Sequence, residues 1–187
     1  MSKISIPLTL SLCLVLLLIG IGIGYFLTPA YQTTMFVKNT MDLGSSDRWL
    51  DLRYINAMIA HHRGAVLMAE QAAKNGQHEE IKKLANDILT SEPKLIAKLY
   101  DLKKELYGDT KSVADPQKVN LGSVDQNYDL RFLNGLIFHH EEGIRMTTDA
   151  RTKTTTVQVL DDANAVEDFL RTTMTQLRGW RKEWYSL

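Results

Sequence analysis

Residues 51–69 read DLRYINAMIAHHRGAVLMA and residues 129–147 read DLRFLNGLIFHHEEGIRMT, and the two stretches align without a gap at a constant offset of 78. The identical pairs are Asp51/Asp129, Leu52/Leu130, Arg53/Arg131, Asn56/Asn134, Ile59/Ile137, His61/His139, His62/His140 and Met68/Met146. The same offset relates Leu99 to Leu177, Glu105 to Glu183 and Tyr107 to Tyr185, so the repeat takes in whole halves, about residues 51–108 and 129–186. One supersecondary unit used twice buries its apolar face against its own copy, and this sets the fold.

Each half reads as a helical hairpin. Ser45 or Ser46 can cap a first helix that runs to the Asn75-Gly76 stop. A second helix then carries apolar residues at 81, 84, 85, 88, 95, 96, 99, 102 and 106, ahead of Gly108. Pro93 interrupts that stripe and either kinks the helix or opens a new segment capped by Ser91. After a linker holding Pro116 and Gly122, a third helix is expected over about 125–152 and a fourth over about 156–185, with Val166, Leu170, Met174, Leu177, Trp180 and Trp184 along its apolar stripe. No strand pattern competes. The expected fold is all-α, a four-helix bundle of two duplicated hairpins over residues 46–187, in up-down-up-down order with the first and third helices parallel on a diagonal.

Ahead of the bundle, residues 4–27 read ISIPLTLSLCLVLLLIGIGIGYFL, without a charge, where roughly 20 apolar residues suffice to cross a bilayer core. That is longer than the core of a cleavable signal, so residues 1–29 are expected to be an uncleaved single-pass transmembrane helix and 30–45 a short stalk. Lys3 before the segment and no positive charge until Lys38 place the N-terminus in the cytoplasm and the bundle outside it. Lys plus Arg and Asp plus Glu are 22 each, so no basic field draws the chain to phosphates, and nucleic acid is excluded as a partner. The one cysteine, Cys13, allows neither an internal disulfide nor a thiolate metal cluster. Any metal must be held by His, Met, Asp or Glu.

Advancing ~100° per residue along the first helix puts Tyr54, Met58, Ala65 and Ala69 on one face, with His61 and His62 within it or at its edge. His139 and His140 repeat this on the third helix. Four imidazoles at one level of an interior are costly unless each has a partner, and a shared metal ion supplies one. Met68 and Met146 follow seven residues on, about 10.5 Å along the axis, and would form a second ligand layer; Met58 lies closer to the first. Glu92 is as far beyond the Gly76 turn as the histidines are before it, and falls on the apolar stripe, so it is expected beside His61 and His62 as a ligand or hydrogen-bond partner. Asp51 and Asp129 also face inward but lie about 15 Å from the histidines along the same helix, and read as first-turn acids near a helix N-terminus.

Thioether and imidazole donors without a thiolate suit a soft ion: Cu(I) first, Ag(I) as its mimic, Cu(II) or Zn(II) through the histidines alone. No Glu has a His three residues later, as a di-iron bundle needs, and His140-Glu141 lacks the second His of HExxH, since Ile144 stands there. The expected function is an extracytoplasmic, membrane-anchored copper chaperone or scavenger in copper homeostasis or resistance, exchanging the ion with a copper-donor or acceptor protein. It is not expected to be an enzyme, because neither a nucleophile–base arrangement nor an open carboxylate pair is present. The rival reading is a metal-free interaction module whose core histidines respond to pH.

The repeated D-L-R-[YF]-x-N-x-x-I-x-H-H with a following Met resembles the domain of unknown function 305 family over about residues 47–187. The resemblance implies a ferritin-like four-helix bundle, usually exported, with some members binding periplasmic copper or silver through His and Met. It assigns the ligand role to His61, His62, Met68, His139, His140 and Met146. The chain departs from the family's Q-x-x-E-[IM] signature, showing Glu92, Leu95 and Ile96 in the first half and Leu170, Thr173 and Met174 in the second.

Overall fold

The computed structural model describes residues 43–187, and these form four helices: α1 (Leu50–Asn75), α2 (Glu79–Tyr107), α3 (Tyr128–Lys153) and α4 (Val157–Tyr185). The expected transmembrane helix, and the stalk up to residue 42, lie outside the described residues. Among those described, no strand occurs, and no helix is long and apolar enough to cross a membrane.

Helix ends follow the sequence closely, but their caps do not. Ser46 Oγ donates to the Lys153 carbonyl (3.0 Å) instead of closing α1, which starts at Leu50 with no side-chain cap. Pro93 opens no new segment: α2 passes through it unbroken. Without a proline N–H, the Leu89 carbonyl loses its usual i+4 donor, and Ser91 Oγ bonds back to the Asp87 carbonyl (2.8 Å) rather than acting as a cap.

α1 and α3 pack against each other, α2 lies along α1 and α4 along α3. The two central helices are antiparallel, not parallel. Leu50, Tyr54, Ile55, Met58 and Ile59, from the start of α1, share a core with Met146 and Ala150 from the end of α3. Met68, Ala69 and Ala72, from the end of α1, share the other core with Tyr128, Phe132, Leu133 and Leu136 from the start of α3. His61 and His139 meet between these cores. A repeat can associate through a local two-fold axis, which reverses one copy relative to the other, and the axis here passes by this histidine pair.

The duplicated polar residues hold the arrangement. Asp129, at the start of α3, reaches the α1–α2 turn, where it accepts from the backbone N–H groups of Gln77 (3.0 Å) and His78 (2.8 Å) and pairs with His78 Nδ1 (2.7 Å). Asp51, at the start of α1, reaches the α3–α4 turn and accepts from Thr156 Oγ1 (2.5 Å). Each acid thus serves the N-terminus of a helix in the other hairpin, not its own. Arg53 donates to the carbonyls of Leu43 (2.5 Å) and Ser45 (2.6 Å) and pairs with Asp47 (2.9 Å). Arg131 does the same to Leu121 (2.6 Å), Ser123 and Asp125 (2.9 Å). The clamped segments, Leu43-Gly44-Ser45-Ser46-Asp47 and Leu121-Gly122-Ser123-Val124-Asp125, extend the repeat upstream at the same offset. Both turns need φ > 0, +69° at Gly44 and +79° at Gly122, where glycine carries no Cβ penalty.

Candidate metal centre

His61 and His139 stack face to face, ring centroids 3.7 Å apart and planes 4° from parallel. His62 and His140 flank them, with centroid separations of 6.2 Å from His61 and 6.5 Å from His139 respectively. His61, His62 and His140 are buried and His139 is half-buried. The approach of His61 to α3 depends on Gly143: a Cβ there would stand 2.7 Å from His61 Nε2 and 2.5 Å from Leu170 Cδ1. The four rings form the floor of a groove of about 370 Å³ whose walls are α2 (Leu84, Ile88, Leu95) and α4 (Val166, Phe169, Leu177). Phe169 stands at its rim, 56% exposed.

The rings differ in their partners. His62 Nδ1 is hydrogen-bonded to Glu92 Oε2, both side chains being buried. His140 Nε2 lies 2.8 Å from Thr173 Oγ1. His61 Nδ1 and Nε2, His139 Nε2 and His140 Nδ1 are buried without a hydrogen-bond partner. Burial therefore dominates the acid–base chemistry. It pushes His61 well below the ordinary imidazole range, helped by the neighbouring histidines. It takes His139 down to about 3, against a pull upward from the His61 backbone, and His140 down to about 4, against a pull upward from the Leu136 carbonyl. These three rings are neutral near pH 7, which is the form that binds metals.

The methionines do not share the layer. On antiparallel helices, seven residues beyond each His61 or His139 leads to opposite ends, so the two thioethers stand about 21 Å apart along the axis rather than in register. Met68 packs beside Gly135 and Met146 lies in the other core with Met58. Among the described residues, no three His, Cys, Asp or Glu side chains already stand as a closed metal cage.

Sequence reasoning missed the partner of His140. Thr173 occupies the acid position of the Q-x-x-E signature in the second half, and that mismatch was the available signal. Leu170, the repeat counterpart of Glu92, is apolar. Glu167, a buried acid of α4, is bound by two arginines. Burial raises its carboxyl but hydrogen bonds from Arg151 (2.7 Å) and Arg171 (2.7 Å) outweigh that and hold it below the usual range.

Residues 48–128 match the family described as Domain of unknown function (DUF305), a span covering the first hairpin and the linker. Comparison with curated proteins finds no match. The fold is similar to that of CopM in the Cu(I)-bound form, with 25% identity, 74% of this chain and 99% of that chain covered, and a TM-score of 0.66. It is also similar to CopM in the Ag-bound form obtained by soaking (25% identity, 74% and 99% covered, TM-score 0.64). CopM in the apo form gives 25% identity, 72% and 98% covered, and a TM-score of 0.64.

Proposed function

We propose that the histidine layer binds copper as Cu(I), with Ag(I) as its mimic, and that the protein carries or scavenges this ion outside the cytoplasm without catalytic turnover. One observation carries the reading: four ring nitrogens buried at the centre of the bundle without a hydrogen-bond partner. A buried polar atom left unpaired costs about 1–3 kcal/mol; each neutral ring has one lone pair, so an ion can take up one nitrogen each of His61, His139 and His140 and return that cost. The donors also fit. Neutral imidazoles, with thioethers further along the cores and the two neighbouring carboxylates already engaged, Glu92 by His62 and Asp162 by the Tyr54 hydroxyl (2.7 Å), suit a soft monovalent ion and not Ca²⁺ or Mg²⁺. His61, His62, His139 and His140 would hold the ion. The similarity to CopM in its Cu(I)- and Ag-bound forms supports the same chemistry.

Anaerobic titration of the full chain with Cu(I) against a competing chelator tests this. His61→Ala/His139→Ala is expected to weaken binding on the order of 100-fold, about 2.7 kcal/mol. Met68→Leu/Met146→Leu conserves volume and is expected to change stability by less than about 1.5 kcal/mol. Because the two sulfurs lie at opposite ends, it should change affinity at the histidine layer only a few-fold. Wild-type protein that takes up no Cu(I) would refute the copper reading and leave the metal-free, pH-responsive module.

The location belongs to the same proposal: residues 4–27 hold the protein in the cell membrane with the bundle on the outer side. In the native host the chain is then expected in the membrane fraction with this segment intact. A mature N-terminus at Tyr31 would contradict the anchor and leave the metal reading untouched.

A further inference from the structure

His62 and His140 are the same residue of the repeat, yet their hydrogen bonds run through different nitrogens. Glu92 faces Nδ1 of His62. A carboxylate only accepts, so this nitrogen carries the proton and the lone pair remains on Nε2. In the second hairpin the partner is Thr173 Oγ1, on Nε2 of His140. That hydroxyl has one proton and faces the Phe169 carbonyl at 2.9 Å and the Leu170 carbonyl at 3.3 Å, both of which can only accept, so the geometry directs the proton to the backbone. Oγ1 is therefore left as an acceptor, Nε2 of His140 carries the proton, and the lone pair sits on Nδ1, which is buried and has no partner. The Leu136 carbonyl one turn back does not change this. It stands close enough to draw the ring's basicity upward, but His140 Nδ1 lies outside hydrogen-bond geometry to it.

We propose that Glu92 and Thr173 are positioning residues that lock His62 and His140 in opposite tautomers, so that the two hairpins present an ion with different nitrogens, Nε2 of His62 and Nδ1 of His140. The sequence repeat is thus chemically unequal at its centre. The first half has a carboxylate behind its histidine, which strengthens it as a donor; the second has a neutral hydroxyl. The tautomers are a property of the metal-free protein, while their use in binding rests on the copper reading above.

Long-range ¹⁵N–¹H correlation spectra of the metal-free full chain, labelled at histidine and recorded near pH 7.5, read the tautomers directly. His62 is expected to show a protonated Nδ1 and a bare Nε2, and His140 the reverse. Thr173→Val keeps the shape and removes the acceptor, so His140 should lose its single-tautomer pattern while His62 keeps its own. Glu92→Leu, which installs the residue of the second half, should do the converse; Glu92→Gln, whose carbonyl still accepts, should restore the His62 pattern. Each loss of a lock is expected to weaken Cu(I) binding by about 10- to 100-fold. The same tautomer at both histidines in the wild type, as when His140 Nδ1–H turns to Leu136, overturns the proposal. Opposite tautomers in a wild type that binds no Cu(I) uphold the locks and overturn the copper reading alone.

Discussion

The metal-free protein is expected to lose most of its stability between about pH 6.5 and pH 4.5, well before its carboxylates are protonated. In the unfolded chain each histidine titrates near 6.5. In the folded chain burial holds His61 far below that, His139 at about 3 and His140 at about 4. Between the unfolded and folded values the unfolded state binds protons that the native state refuses, so stability rises with pH and is lost as pH falls. Each such ring costs up to about 1.4 kcal/mol per pH unit, less near pH 6.5 where the unfolded ring is half-protonated, so three together cost on the order of 6–7 kcal/mol over two units, comparable with the whole stability of a typical domain. Asp162 opposes this, because burial raises its carboxyl and favours folding as pH drops, but it is one group against three. Glu167 contributes only at lower pH, since its carboxyl lies below the usual range. Urea midpoints measured with a chelator present from pH 7.5 to 4.5 should fall steeply. In His61→Leu/His139→Leu, the dependence should shrink to about one proton. A midpoint independent of pH across this range would mean that the rings are open to water in the native state, and the unpartnered-nitrogen account of the site would fail.

The sequence made the helices, the duplication and the central position of the histidines legible because each depends on short-range pattern. Apolar spacing marks α1 to α4, and an ungapped offset marks the copies. What it left open was the relation between the copies. An up-down-up-down bundle and a two-fold pair of hairpins both satisfy the same stripes, and both bring His61 to His139, because these residues lie near the middle of their helices. Only residues away from the middle distinguish the two. Met68 and Met146 are in register in the parallel arrangement and far apart in the antiparallel one, so the expected second ligand layer failed there. The discriminating signal lies in Asp51 and Asp129, which helical position alone places at their own helix N-termini. An acid buried to 1% exposure, as Asp129 is, needs several donors, and the free N–H groups of a neighbouring helix start are the commonest supply. Glu92 was legible for the same reason as the histidines, since counting from a tight turn fixes what lies across a hairpin. Thr173 was not, because a threonine on a helix flank is unremarkable until the ring beside it is seen.

Replacing Asp129 by Ala is expected to destabilise the bundle by about 3–4 kcal/mol, against about 1 kcal/mol for Asp51→Ala, although the two are copies of one residue. Asp129 accepts from Gln77 N, His78 N and His78 Nδ1, and its removal leaves two backbone donors at the start of α2 without their acceptor. It also releases His78, whose ring stacks on Trp184 at 3.9 Å and joins α2 to the end of α4. Asp51 is half-buried and makes one bond, to the Thr156 hydroxyl, with its other oxygen already unpartnered, so less is lost. Asp129→Asn should recover only part of the loss, because its amide turns one acceptor into a donor facing donors. At about 2–4 °C per kcal/mol for a domain of this size, the Ala variants should melt on the order of 10 °C and 3 °C below wild type. Equal losses at the two positions would reduce both acids to dipole partners of their own helices. Unequal losses identify Asp129 as the stronger of the two clamps between hairpins. A clamp at that end sets the register of α1 along α3, and with it the face-to-face contact of His61 and His139; a slip of one residue would move the rings about 1.5 Å past each other. The stability of the Asp129 turn and the geometry of the metal centre are therefore coupled through a rigid helix pair, and the Ala variant should bind Cu(I) more weakly even where it is still folded.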